Sequence, residues 1–198
     1  MILSPFVLGA IGIAFGMTRY ILYIRDIFRG TAKPHVFSWF VWGLMAAIVF
    51  FAQITEHAGA GAWVTGLVAV ACLGISVLAL FKGEKGITAS DWVCFIAALF
   101  GVLLWQITSQ PLAAVIIVAI ADAIAYIPTY RKAFSKPHEE PAYSYFLAAM
   151  RSVFGILALQ TLTLTTVLYP ASLVLTDGGF VLYLWVRRRQ LSNSSRIV

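Results

Sequence analysis

Four ionisable side chains stand in stretches of sequence otherwise too apolar to suit them: Arg19, Asp122, Arg151 and Asp177. A charge near the middle of a bilayer costs at least ~2.5–3.5 kcal/mol on insertion scales. Such groups therefore face a bundle interior or a wet cavity, where they bind solutes or relay protons. Helical spacing gives each one company. Asp122, Tyr126 and Thr129 follow i, i+4, i+7 and share a face, and Arg19, Tyr23 and Asp26 repeat that spacing. Arg151 shares a stripe with Ser144, Ala148 and Gly155, whose small side chains leave room for a cavity. The stripe that corresponds to it holds Ser38, Trp42, Met45 and Val49. Two readings follow. In one, Arg19, Asp122, Arg151 and Asp177, with Tyr126 and Trp42, touch a solute or a coupling proton. In the other, the charges lock helices together as structural ion pairs, for example Asp122 with Arg151. Two cations and two anions sum to zero, which favours a neutral or zwitterionic solute.

The elements that must position these residues are membrane spans. Of 198 residues, 61% are hydrophobic and 11% charged, with a mean hydropathy of +0.91. A water-soluble domain of this length needs far more charge at its surface. Seven stretches have the ~20 apolar residues that a span requires: about 5–24, 36–55, 62–81, 91–108, 111–130, 142–161 and 166–186. Short joints separate them, and no polar segment is long enough to fold as a soluble domain. The expected class is an all-α integral membrane protein. Cys72 and Cys94 fall inside spans without paired spacing, so neither a disulfide nor a metal site is expected. His35 and His138, in two of the joints, make at most half of a metal site.

The net charge of +6 concerns topology and not nucleic acid. Twelve of the 14 basic residues lie in the joints between spans 1–2, 3–4 and 5–6 or in the tail after span 7, all on one side. The other two, Arg19 and Arg151, lie within spans. The positive-inside bias puts the N-terminus outside and the C-terminus in the cytoplasm. The membrane expected is the plasma membrane, or the inner membrane of a bacterium.

The chain also repeats itself. At a shift of 103 residues, Tyr23-Ile24 meets Tyr126-Ile127, and Lys33-Pro34-His35 meets Lys136-Pro137-His138. After three extra residues, Phe37-Ser38-Trp39-Phe40 meets Tyr143-Ser144-Tyr145-Phe146. Ordered identities across a helix end, a joint and the next helix start mark a tandem unit. Spans 1–3 (residues 1–83) then correspond to spans 5–7 (residues 111–198). Span 4 (residues 84–110) reverses the chain so that both units run parallel.

This 3+1+3 plan resembles that of the SWEET sugar facilitators. Ile127-Pro128-Thr129-Tyr130-Arg131-Lys132 is similar to the PQ-loop signature, with Thr129 in place of the glutamine. The first unit departs further, with Arg25-Asp26 at the corresponding position. The likeness is to a divergent member of the wider SWEET and PQ-loop superfamily. It implies two parallel three-helix bundles around a central site, and a carrier for a small polar solute working by alternating access. The alternative is a non-transporting receptor, scaffold or assembly subunit on the same fold. Pro128 is the expected hinge, because a proline inside a helix removes a backbone hydrogen bond. Gly12 and Gly16 form a G-x-x-x-G that permits close helix approach. No nucleophile triad, phosphate loop or zinc motif is present, so neither an enzyme nor a cofactor is expected. The expected partners are the solute, the lipid bilayer and a second copy of the chain in a homo-oligomer.

Overall fold

The computed structural model describes residues 3–83, 89–108, 110–135 and 137–194, apart from some side chains within α4 and α5 and at residues 139 and 193–194. Among the described residues there are seven α-helices and no strand. They are α1 (Pro5–Phe28), α2 (Val36–Thr55), α3 (Ala60–Lys82), α4 (Ala89–Thr108), α5 (Pro111–Ser135), α6 (Ala142–Leu157) and α7 (Leu164–Ser194), with a single 3-10 turn at Pro137–Glu139. Local chemistry sets several ends. Ser4 caps α1 by accepting from the Val7 N–H, with Pro5 in the first turn where its missing N–H costs nothing. The His35 ring accepts from the Ser38 N–H at the start of α2.

Among the described residues, four helices (α1, α2, α3 and α7 through Ser192) are long and apolar enough to cross a membrane. The apolar helix α6 is shorter. The 16 residues of α6 rise about 24 Å at ~1.5 Å each. The sequence-based span of 142–161 is thus cut short at Ala158, and α7 runs eight residues beyond its expected end into the basic tail. Large apolar side chains cover the outside, and several polar ones are buried beside an apolar core. Phe6, Val70, Phe81, Ile107 and Leu175 are exposed, whereas Gln53, Asp122, Arg151, Ser152, Thr166 and Asp177 are buried. The chain is a multi-pass, membrane-embedded helical protein.

Helix neighbours follow a pattern. α3 packs against both α1 and α2, and α7 packs against both α5 and α6. Between these triplets α1 meets α6, α2 meets α5, α3 meets α6 and α2 meets α7. Exchanging α1–α3 for α5–α7 maps this set onto itself. α4 packs on α5 and α2. Small residues allow the closest approaches. A Cβ on Gly12 would lie 3.2 Å from the Arg151 carbonyl, and one on Gly16 would lie 3.2 Å from the Arg151 Cδ. The G-x-x-x-G of α1 therefore lets the stem of Arg151 run along its surface.

At one end of the bundle the α2–α3 and α6–α7 joints are stitched together. The Gly61 N–H donates to the Ala158 carbonyl at 3.1 Å, and the Gln160 N–H donates to the Ala58 carbonyl at 2.9 Å. The Thr161 hydroxyl adds a bond to the His57 carbonyl at 3.0 Å. Gly61 makes the contact possible, because a Cβ there would sit 2.6 Å from the Gly155 carbonyl. Gly59 adopts φ 68°, and its Cβ would collide with Gln160.

Candidate functional site

The four ionisable residues come together. Arg19 of α1, Asp122 of α5, Arg151 of α6 and Asp177 of α7 line one cavity of about 130 Å³. That is roughly ten times the minimum of ~10–15 Å³ needed for one water. Trp42, Tyr126 and Thr129 line it too, so the whole i, i+4, i+7 face of α5 points inward. Tyr20, Trp39, Tyr145 and Tyr169 complete an aromatic wall.

Helical geometry sets the depth of each group. Trp42 is 37% exposed, and Arg19, Tyr126, Thr129 and Tyr145 are half-buried. Each lies toward the helix end that leads into a basic joint. Asp122, Arg151, Asp177 and Tyr169 are buried. The cavity therefore opens toward the basic face of the bundle. On the other side a gap of about 10 Å³, lined in part by Gln53, Gly61, Thr65, Gly155 and Pro170, continues past Arg151. It ends beneath the stitched joints.

The charges do not form the ion pairs that the packing alternative requires. Among the described residues the one salt bridge is Arg25–Asp26 at 2.9 Å. Asp122 with Arg151 is thus corrected: both line the cavity, and no salt bridge joins them. Arg151 donates instead to the Tyr20 hydroxyl at 3.3 Å and to its neighbour Ser152 at 3.2 Å. Arg19 donates through Nε to Ser144 Oγ at 3.1 Å, and its guanidinium lies 5.6 Å from the centre of the Tyr20 ring. Asp177 accepts from the Tyr126 hydroxyl. Asp122 Oδ2 is buried and has no hydrogen-bond partner.

The face shared by Arg19, Tyr23 and Asp26 is split. Arg19 reaches the cavity, Tyr23 packs on Trp39 at 4.9 Å between ring centres, and Asp26 turns to its neighbour Arg25. The stripe on α2 divides in a similar way. Trp42 lines the cavity, while Met45 and Val49 pack against Val115 and Val118 of α5. Position 128 lies within α5, but the side chain of Pro128 falls outside the described residues, as do Cys94 and Lys132.

Tyr20, Trp39, Tyr145, Tyr169 and Pro170 were not among the site residues read from the sequence. Tyr20 is where both guanidiniums meet, yet it is off the face chosen for Arg19, and its equivalent in the repeat is Ala123. Pro170 stands inside α7. Counting back four residues from it points to the Thr166 carbonyl, which was the available signal. No family model, curated protein or solved structure matches this chain.

Proposed function

We propose that this protein is a membrane carrier for a small polar solute, neutral or zwitterionic, working by alternating access between two three-helix units. α1–α3 and α5–α7 are the units, and α4 links them into a seven-span 3+1+3 bundle of the SWEET and PQ-loop type. The N-terminus is outside and the C-terminus cytoplasmic, in the plasma membrane or a bacterial inner membrane. The protein catalyses no reaction on this reading.

One observation carries the reading. A cavity between the two triplets holds four ionisable side chains that make no salt bridge to one another. Buried charges kept apart from one another are costly unless something else completes them. A receptor or scaffold held together by its polar residues would pair them and fill the space. The self-mapping pattern of helix neighbours supports the two-unit plan, and the stitched joints opposite the open mouth support a conformation facing the cytoplasm.

The test is accessibility from each side, in a Cys72→Ser, Cys94→Ser background. Thr129→Cys, at the mouth, should react with a membrane-impermeant thiol reagent applied from the cytoplasmic side. Thr65→Cys, beneath the stitched joints, should react slowly from outside as a minority of molecules open there. Complete protection of Thr65→Cys, with Thr129→Cys always reactive, would return the fold to the receptor or scaffold reading.

A further inference from the structure

The repeat sets Arg19 and Asp122 at equivalent positions, 103 residues apart, on the first helix of each unit. Both line the same cavity, and they carry opposite charges. The two positions thus set a cation, from α1, and an anion, from α5, on the lining of one cavity.

The four charges differ in how far protein groups engage them. Arg151 uses both terminal nitrogens, one on Tyr20 and one on Ser152. Asp177 is held by Tyr126. Arg19 is bonded to Ser144 through Nε alone, which leaves its two terminal amino groups for another acceptor. Asp122 keeps a buried oxygen without a donor. A guanidinium with a vacant fork calls for a carboxylate, and an orphaned carboxylate oxygen calls for an N–H donor. The aromatic wall suits the same cation, because an ammonium is attracted to ring faces.

Resting on the carrier reading above, we infer that the solute is a small zwitterion, an amino acid, with its carboxylate at the Arg19 guanidinium and its ammonium at Asp122. Both poles are needed. A molecule with one of them leaves the other charge uncompensated, and a neutral sugar leaves both.

The experiment is thermal stabilisation of the detergent-purified full-length protein by a panel of neutral amino acids and D-glucose. Any amino acid that stabilises is then compared with its amide, which lacks the carboxylate, and its N-acetyl derivative, which lacks the ammonium. The amino acid alone should shift the melting temperature. Asp122→Asn and Arg19→Gln should each weaken its binding by about tenfold or more. Exchanging the poles in Arg19→Asp/Asp122→Arg should recover binding relative to either single charge removal. Equal stabilisation by the amide or the N-acetyl derivative overturns the inference. So does a shift with glucose alone, or no shift with any amino acid. The thiol-labelling result is independent: amino-acid binding without access switching would remove the carrier reading and leave the zwitterion site standing.

Discussion

The side-chain amide of Gln53, in α2, donates to the main-chain carbonyl of Thr166, in α7, at 2.8 Å. That carbonyl is the one Pro170 leaves without a helical partner, since proline at position i has no N–H for residue i−4. Both side chains at the contact are fully buried. A defect within one helix is thus repaired by a residue from the other triplet, and the repair bridges the two triplets on the sealed side of the cavity.

Gln53→Leu should strand the Thr166 carbonyl and lower stability by about 1–2 kcal/mol. Adding Pro170→Ala supplies an N–H inside α7 and should restore much of that loss. Thermal melts of the two single variants and the double variant form the cycle. Strictly additive losses would mean that the two positions do not share the carbonyl.

Gly61→Ala places a methyl group where 2.6 Å separates the Cβ position from the Gly155 carbonyl. The stitched joints must then part. Thr65→Cys in this background should react faster with an external thiol reagent than in the parent, by about tenfold. An unchanged rate would show that the joints do not limit access from that side.

Arg151→Ala removes the donors to Tyr20 and Ser152 but breaks no salt bridge. It should abolish stabilisation by solute while costing only modest stability. Arg151→Ala/Asp122→Asn and Arg151→Ala/Asp177→Asn should not regain that response. Functional rescue by either double variant would mean that Arg151 serves as a structural counter-ion.

A cysteine at position 33, in the basic joint between α1 and α2, should label in intact cells only after permeabilisation. One at Leu162, exposed in the joint between α6 and α7, should label without it. The reverse pattern would invert the topology.

Much of the site was legible because charge in an apolar stretch is conspicuous. Arg19, Asp122, Arg151 and Asp177 stand out on cost alone, and 3.6-residue periodicity adds Tyr126 and Thr129 to Asp122. What could not be read was partnership across helices. Asp26 looked like part of the Arg19 face, but Arg25 beside it captures the carboxylate. Gln53 is a neutral amide near a helix end, and only the tertiary fold shows that it answers Pro170. The expected starts at 5 and 36 coincide with those of α1 and α2, where the structure shows Ser4 and His35 capping the first turns. Helix ends were least legible at α6. Its apolar run continues past Leu157, but contacts from Ala58 and Gly61 hold the chain in the next joint.

The formal charges on the cavity wall cancel, Arg19 and Arg151 against Asp122 and Asp177. Carrying one net charge across a bilayer at 100 mV involves work of ~2.3 kcal/mol. A site of zero sum carries none, whether empty or loaded with a zwitterion. On the carrier reading proposed above, the resting potential of the cell then has no purchase on movement of the site's own charges. On that reading, a zwitterion carried without a coupling ion would follow its own concentration difference.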